Sequence, residues 1–361
     1  MNVKEVTVTN YRNIASAHFE PAPVLTVVCG KNGHGKTNLL ESVWLLTGSK
    51  SFRGSKDTEL VKENENFGMV EGVVSGLGKE MTLRIGIEGT ESDRHGRTGS
   101  VNGVTFGRAT NLAGKFTAVV FEPAHLGLIR GSPEKRRRFI DAALCQVYPS
   151  YLSLLRRYTR LVSQKNAALK TYYQNPTSPA LIEIYNKDLA FYGTEITLKR
   201  EGYLELIRQD VMQNYANISN GSEELLFQYH ASFTDSMMNT FHASLKRDLA
   251  AGFCTSGPHR EDFSITLNGR DAKTYASQGQ QRSVVLALKL AEATGAYRIT
   301  NEYPVMLLDD VLSELDDTRQ EYLLNRMQGK QIIVTACNAA LFSKTNGKIY
   351  RMRDGVLSEE T

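Results

Sequence analysis

A glycine-rich segment with one lysine and one threonine is the clearest chemical feature of the chain. Residues 30–37 match the pattern G-x-x-x-x-G-K-[ST]. Glycines let the backbone curl until its N–H groups point at one anion, and a following helix adds positive potential at its N-terminus. Lys36 would contact the β- and γ-phosphates, and the Thr37 hydroxyl would coordinate Mg²⁺. The segment therefore predicts ATP with Mg²⁺, bound by Gly30, Lys31, Asn32, Gly33, His34, Gly35, Lys36 and Thr37.

Two adjacent aspartates follow an apolar run much later in the chain. The run 305–308 reads Val-Met-Leu-Leu and precedes Asp309 and Asp310. We expect Asp309 to hold the metal ion through water, and Asp310 to orient or deprotonate the attacking water. Alone this pattern is weak, because an acid at a strand end often only caps a turn. Beside a phosphate loop it becomes a strong indication of nucleotide hydrolysis.

A second segment with phosphate-binding groups, residues 277–281, directly precedes a predicted helix over 282–298. It offers a hydroxyl, backbone N–H groups and a helix N-terminus. Since the chain already has one phosphate loop, a second phosphate-binding segment suggests that one nucleotide is shared by two copies of the chain. The alternative is that this segment is an ordinary polar loop that caps the helix. We count Ser277 with Lys36 and Asp310 as catalytic. The predicted nucleotide contacts in this segment are Ser277, Gln278, Gly279 and Gln280. Asp316, in the acidic turn at 313–317, is a further predicted contact but could equally be a helix N-cap.

The hydropathy pattern predicts the elements that position these motifs. Apolar runs at 24–28, 305–308 and 331–335 indicate buried strands, and the region 69–106 is rich in strand signals. From Ser132 onward, apolar residues recur at helical spacing up to about residue 250. We therefore predict an α/β protein with a first half of the head at 1–130, a helical arm at 131–250 containing a long antiparallel helix pair, and a second half of the head at 251–361.

Composition and charge exclude several classes of protein. The chain has 361 residues, a net charge of +4 and 41% hydrophobic residues, as an ordinary globular protein does. Its four cysteines form no C-x-x-C pair and its seven histidines no H-E-x-x-H motif, so zinc chemistry has no support. No stretch reaches the roughly 18 apolar residues of a membrane span. We expect a cytoplasmic protein without membrane contact.

Basic residues cluster locally. Residues 131–175 contain nine lysines and arginines against two acids. A solvated charged face is the ordinary interpretation of such a run, but the acids that would balance it are missing, which favours contact with a phosphate backbone. No interleaved aromatic residues indicate base readout, so we expect sequence-independent DNA binding. The predicted DNA contacts are Arg53, Arg136, Arg137, Arg156, Arg157 and Arg160.

Taken together, the motifs resemble the RecF family, in the SMC-like branch of the ABC ATPases. The resemblance runs from residue 11 past residue 310 and rests on these segments: 11–14, 30–37, 51–53, 131–133, 136–139, 164–166, 257–260, 277–281 and 308–310. It implies an ABC-type (SMC-like) P-loop ATPase head with an inserted α-helical arm domain, and nucleotide contacts from Arg12 and Asn13. It also implies an ATP-induced homodimer that clamps DNA, weak DNA-stimulated hydrolysis that releases it, RecO and RecR as partners, and roles in recombinational repair, replication and the SOS response.

Three positions depart from the general ABC pattern. Asp310 stands where most ABC ATPases have glutamate, which implies slow hydrolysis. Residues 336–338 read Ala-Cys-Asn where a switch histidine is expected, so a γ-phosphate sensor would lie elsewhere. We assign it to His259 and Arg260, with a structural ion pair to Glu261 or Asp262 as the alternative. No Q-loop glutamine is evident, and Glu122 is a candidate substitute.

Three other functions remain as alternatives. A transporter-type ABC subunit is disfavoured by the long insertion and its arginines. An OLD-like ATPase-nuclease would need a carboxylate-rich metal cluster beyond Asp309 and Asp310. A plain P-loop kinase would turn over as a monomer and would not depend on Ser277.

Overall fold

The structure, a computed structural model, describes residues 1–76, 78–89, 96–175, 177–338, 342 and 347–360. Contacts divide the chain into two compact units. We call Met1–His125 with Val285–Thr361 the head unit, and Leu126–Val284 the arm unit. The Ser277 segment belongs to the arm unit by this division. The domain boundaries at 130/131 and 250/251 stay a prediction.

Fifteen strands and nine α-helices lie in the described residues. The strands are β1 Asn2–Tyr11, β2 Ile14–Phe19, β3 Leu25–Cys29, β4 Phe67–Gly76, β5 Lys79–Glu88, β6 Arg97–Val101, β7 Val104–Arg108, β8 Ala118–Phe121, β9 Leu225–His230, β10 Asp262–Leu267, β11 Arg270–Asp271, β12 Val305–Asp309, β13 Ile332–Ala336, β14 Lys348–Arg353 and β15 Val356–Glu360. The helices are α1 Lys36–Leu45, α2 Gly127–Arg130, α3 Pro133–Val147, α4 Pro149–Lys170, α5 Ser178–Ile218, α6 Met237–Ala251, α7 Ala272–Tyr275, α8 Gln278–Thr300 and α9 Asp317–Arg326.

A mainly parallel sheet forms the centre of the head unit, in the order β15-β14-β3-β13-β12-β8. Strands β3, β12 and β13 are buried along their whole length, which explains why their sequences are continuous apolar runs rather than alternating ones. In the register, Asp309 pairs with Thr335 and Leu308 with Phe121. The strand ends that carry polar side chains therefore meet at one edge of the sheet.

The second sheet of the head unit is antiparallel, in the order β2-β1-β4-β5-β6-β7. A bulge between Val3 and Glu5 interrupts the alternation of β1, so Val3, Val6 and Val8 are all buried. Asn102 and Gly103 form the turn between β6 and β7, and both have positive φ, as a type I′ hairpin requires. One apolar core joins residues of both sheets and of helix α1.

The arm unit contains the predicted antiparallel helix pair. Leu169 near the end of α4 packs with Ile182 near the start of α5, and Arg157 lies over the ring of Tyr192 further along. Helix α5 has 41 residues and is about 60 Å long. No helix in the described part of the chain is both long and apolar enough to cross a membrane.

The range predicted as a helical arm, to about residue 250, also contains one strand. Strand β9 lies within that range and pairs antiparallel with β10, and β11 extends the sheet. Alternate side chains of β9 are buried, with Leu225 and Phe227 facing inward. This period of two, within a segment that we interpreted as helical, is the signal that distinguishes it as a strand.

Candidate nucleotide-binding site

The glycine-rich loop connects β3 to α1, as predicted. Gly30, Gly33 and Gly35 all have positive φ. A Cβ on Gly30 would lie 2.2 Å from the carbonyl oxygen of Met352, and one on Gly35 would lie 2.8 Å from the side chain of Asn13. The loop conformation therefore excludes side chains at two of its positions.

Lys36 is buried inside the loop. Its ammonium donates to the carbonyl oxygens of Gly30 at 2.6 Å and Lys31 at 3.1 Å, and lies 3.5 Å from Oδ1 of Asn32. The positive charge is thus held at the centre of the backbone curve, beside the N-terminus of α1. Both features favour an anion at this position.

Thr37 and Asp309 meet next to this loop. The Thr37 hydroxyl donates to Oδ1 of Asp309 at 2.8 Å, and the Thr335 hydroxyl donates to the same oxygen at 2.9 Å. Burial raises the pKa of Asp309, and the two hydrogen bonds offset part of that rise. A hydroxyl and a carboxylate in contact are hard oxygen donors, the set that Mg²⁺ takes when phosphates and water complete its shell. The predicted metal ligands fit the ion.

Asp310 has a strained backbone, with φ of 50°. Its N–H donates to Oγ1 of Thr335 at 2.9 Å, and its carboxylate accepts from the Ser313 hydroxyl at 3.1 Å. The side chain is half-buried. This conformation directs Asp310 away from the line of the strand, immediately beyond the proposed metal ligand Asp309.

Glu122 lies beside Asp309 at the edge of the sheet, because Phe121 pairs with Leu308 in the preceding position. Burial and the nearby Asp309 carboxylate raise the pKa of Glu122 to about 7. The Glu122 N–H donates to Nδ1 of His125 at 3.2 Å, and Nε2 of His125 lies 3.6 Å from the Glu122 carboxylate. Burial holds the pKa of His125 well below its usual value, so this histidine is neutral near pH 7.

A buried carboxylate that sequence reasoning missed fixes the start of the chain against α1. Glu41 accepts from the Tyr11 hydroxyl at 2.8 Å, Arg12 Nε at 2.6 Å and the Ser51 hydroxyl at 2.5 Å. Arg12 also donates to Ser55 at 2.9 Å. The available signal was a single acid within the apolar stretch Leu39–Leu46, because a buried charge needs partners.

Asn13 and Arg53 both reach the first turn of α1. Asn38 donates to Oδ1 of Asn13 at 2.7 Å and accepts from Arg53 at 2.8 Å. Arg53 is exposed, and its charge lowers the pKa of Asp309 as a minor contribution. The structure places Arg53 near the candidate phosphate site of the head unit, and its contact with DNA stays a prediction.

The Ser277 segment forms an N-terminal capping box in the arm unit. Ser277 Oγ accepts from Gln280 N–H at 3.2 Å, and Gln280 Oε1 accepts from Ser277 N–H at 2.6 Å. Ser277 and Gln278 are exposed, whereas Gly279 and Gln280 are half-buried. Helix α8 begins at Gln278, earlier than the predicted residue 282. The two bonds fix the Ser277 side chain at the start of that helix.

Asp316 is the N-cap of α9, one of the two roles that its sequence suggested. Its carboxylate accepts from Arg319 N–H at 3.0 Å and pairs with the Arg319 guanidinium. The side chain is exposed, and these bonds lower its pKa. The cap leaves one face of the carboxylate open to solvent.

The predicted DNA-binding arginines of the arm differ in their surroundings. Arg156, Arg157 and Arg160 are exposed on α4. Arg137 is half-buried and donates to the carbonyl of Glu261 at 2.7 Å. The remaining position, Arg136, requires a correction.

Arg136 is 8% exposed and binds both carboxylate oxygens of Asp262 at 2.7 Å. It also donates to the carbonyls of Leu128 and Gly131. Because its guanidinium is buried and saturated with protein partners, we do not retain Arg136 as a DNA contact. Its role is to hold α3 to β10 within the arm unit.

His259 is likewise fixed within the arm unit. Its Nε2 donates to the carbonyl of Cys254 at 3.0 Å, and its Nδ1 lies 2.9 Å from the Tyr158 hydroxyl. Burial lowers its pKa to about 4. Both ring nitrogens have protein partners and the ring is neutral, so it lacks the free donor that a γ-phosphate sensor requires. Of the two acids in the alternative ion pair, Glu261 accepts from Thr197 and lies 3.7 Å from Arg200, and Asp262 binds Arg136.

The fold and the site together define an ABC-type ATPase head of the SMC-like class. The family model described as the RecF/RecN/SMC N terminal domain matches residues 2–356. The Smc head domain of Pyrococcus furiosus, solved with the C-terminal domain of ScpA, shares the fold at 15% identity and a TM-score of 0.54, over 99% of this chain and 95% of that chain.

Two further comparisons identify the family within this class of ATPases. The DNA replication and repair protein RecF of Staphylococcus haemolyticus is 36% identical over 372 residues, covering 98% of this chain and 99% of that protein. A solved structure of the recombination mediator protein RecF with ATPrS, of the RecFOR pathway, matches with a TM-score of 0.91 and 33% identity, over 100% of this chain and 98% of that chain. The chain belongs to the RecF family.

Proposed function

We propose that the chain is an ATP-dependent, DNA-binding recombination mediator that acts in the cytoplasm. The observation that carries this proposal is the bond between Thr37 and Asp309, which joins the phosphate loop to the acidic strand end. The names of the relatives, DNA replication and repair protein and recombination mediator, support it. Within the described residues no cluster of three His, Cys, Asp or Glu side chains could hold a metal ion, which gives an OLD-like nuclease no support.

The head unit would bind ATP through the loop 30–37. The loop N–H groups and Lys36 would contact the phosphates, and Arg12 and Asn13 would make further contacts to the nucleotide. Thr37 and Asp309 would hold Mg²⁺, which neutralises the charge that develops on the transferred phosphoryl group. A related structure with ATP supports the choice of nucleotide.

The second contact to the nucleotide would come from another copy of the chain. Ser277, Gln278, Gly279 and Gln280 present a hydroxyl and the N-terminus of α8. Asp316, at the start of α9, would add a further contact to the nucleotide. Ser277 accepts a bond from Gln280, so its own proton is free to be donated to a phosphate oxygen. Contacts made only to the γ-phosphate favour the closed dimer with ATP over ADP.

Hydrolysis would be weak and would serve to release DNA. Asp310 is a shorter acid than glutamate and is bonded to Ser313. Asp310 would orient the attacking water, and Glu122 lies on the next strand of the same sheet edge. DNA would stimulate this step by favouring the closed dimer.

DNA would be gripped by the arms of the closed dimer through Arg156, Arg157, Arg160 and Arg137. These side chains offer charge without base-specific geometry, so we expect binding to duplex and gapped DNA regardless of sequence. RecO and RecR would be the protein partners, since the related structure belongs to the RecFOR pathway. Roles in replication-fork maintenance and SOS induction would follow from this assignment.

Fluorescence anisotropy of a labelled gapped duplex tests the proposal. We expect tight binding with ATP or a non-hydrolysable analogue and weak binding with ADP or without nucleotide. Equal binding in all four conditions would contradict ATP gating. Cleavage of the DNA by the pure protein with Mg²⁺ would favour the nuclease alternative.

A further inference from the structure

Glu223 connects the long arm helix to the start of helix α8, within the arm unit. One carboxylate oxygen accepts from the Tyr215 hydroxyl at 2.6 Å. The other accepts from the side-chain amide of Gln280. Tyr215 is 1% exposed and lies in the last turn of α5, so one end of this link is firmly held. Glu223 itself is half-buried, in the loop before β9.

The bond to Glu223 determines which way the Gln280 side chain faces. An amide has a donor end and an acceptor end, and a carboxylate accepts only from the donor end. The acceptor end then faces Ser277 N–H, at 2.6 Å. A reversed amide would place two donors against each other at Ser277 and two acceptors against each other at Glu223. The carboxylate therefore selects the orientation that completes the capping box.

From these contacts we infer that Glu223 is a positioning residue for Ser277, through Gln280, and that it connects the arm to the dimer interface. The inference rests on the proposed function, in which Ser277 meets the nucleotide of the partner subunit. Helix α5 packs along α4, which carries the exposed Arg156, Arg157 and Arg160. A change in the arm on DNA binding would thus reach Ser277 through Tyr215, Glu223 and Gln280.

The chain offers a matched control in the next residue. Glu224 has the same charge and is exposed, and its bond in the same loop is made by its backbone N–H, to Asn268. Glu223→Ala and Glu224→Ala therefore change net charge and loop composition equally. Only the first removes the link to Gln280.

Sedimentation velocity with ATP measures the dimerisation constant of each variant, and a fluorescent ATP analogue at low protein concentration measures binding to the monomer. For Glu223→Ala we expect dimerisation weakened about tenfold or more, the usual effect of removing a charge-assisted hydrogen bond, with unchanged ATP binding by the monomer. Added DNA should strengthen dimerisation of the unmodified chain and of Glu224→Ala, but not of Glu223→Ala. Glu223→Gln, which can still accept from Gln280, should restore most of the dimerisation. Circular dichroism melting identifies any variant that fails to fold.

Three outcomes would overturn the inference. One is normal dimerisation of Glu223→Ala while Ser277→Arg abolishes it, in which case the proposed function stands. Another is a loss of monomer ATP binding or folding in both Glu223→Ala and Glu223→Gln, since that indicates a structural role alone. The third is normal dimerisation of both Glu223→Ala and Ser277→Arg, which would remove the proposed function as well.

Discussion

The hydroxyl of Thr37 lies 2.8 Å from a carboxylate oxygen of Asp309, although 272 positions separate the two residues in the chain. Thr37 lies in the first turn of helix α1, directly after the phosphate loop, and Asp309 is the last residue of the buried strand β12. The sheet register and the loop conformation together produce this contact. It is the structural basis for proposing a metal–nucleotide site in the head unit.

The first prediction concerns Lys36. Lys36→Met removes the ammonium that the loop surrounds, so we expect loss of ATP binding and of ATP-dependent DNA retention, measured by filter binding. The control is Lys50→Met, which replaces an exposed lysine after helix α1. Undiminished retention by the Lys36 variant would rule out the role of the loop.

Ser277→Arg tests the second nucleotide contact. The large cation would occupy the place of the partner's phosphate at an exposed helix start, so the variant should bind ATP normally but remain a monomer. Glu224→Arg, which places the same bulky cation at an exposed position outside the Ser277 segment, should still dimerise. A normal ATP-induced dimer of Ser277→Arg would refute the claim that this segment acts on the partner.

Reversing the charges of Arg156, Arg157 and Arg160 to glutamate should weaken DNA binding. For every DNA phosphate that the variant no longer neutralises, the log–log salt dependence should become flatter by about 0.9. Titrations over a range of salt concentrations provide the slope. If the slope does not change, these residues are only a solvated charged face.

Arg136 should matter for stability and not for DNA contact. Arg136→Ala removes a buried guanidinium from the half-buried carboxylate of Asp262, and we expect a decrease of about 3 kcal/mol in the free energy of unfolding. Arg138→Ala removes an exposed pair with Glu134 and should cost less than about 1 kcal/mol. Urea denaturation measures the free energy of unfolding of both variants. Equal decreases would contradict the structural role of Arg136.

The raised pKa of Glu122 predicts that the free energy of unfolding depends on pH. Its pKa in the folded chain, about 7, lies above the ordinary value of 4.5, so the folded state binds this proton more tightly than the unfolded state does. The cost of ionising the buried carboxylate is absent at low pH, develops between the two pKa values, and reaches about 3 kcal/mol above pH 7. Glu122→Gln removes that cost.

The comparison must be made without nucleotide or Mg²⁺. Glu122→Gln should be markedly more stable than the unmodified chain at about pH 8 and close to it at about pH 5. Melting temperatures over that range measure the difference. If the stability of the two proteins changes with pH in parallel, Glu122 is ionised over the whole pH range.

The local motifs were predictable because their chemistry is encoded in consecutive residues. The loop 30–37, the strand ending at Asp309 and the turn at 102–103 each carry a short pattern that nearby structure does not override. The long helix pair was also predictable, since its apolar period persists over many turns. Strand β9 was not, because its six residues lie within a region of helical spacing and the exposed Leu226 is as apolar as its buried neighbours.

The roles of Glu41, Glu223 and Arg136 depend on distant partners. Glu41 is bonded to residues 29 or 30 positions earlier and 10 positions later, and Arg136 to a carboxylate 126 positions later. A charge in the sequence does not indicate whether it will face solvent or a buried partner. Arg136 and Arg156 look alike in the sequence, but only Arg156 is exposed.

Sedimentation velocity with bound-nucleotide stoichiometry tests the central claim most directly, namely that each ATP is contacted by two copies of the chain. With ATP or a non-hydrolysable analogue we predict a dimer that holds one nucleotide per chain, and with ADP a monomer. A chain that binds ATP in full stoichiometry yet sediments as a monomer at every concentration, with DNA or without it, would contradict the account.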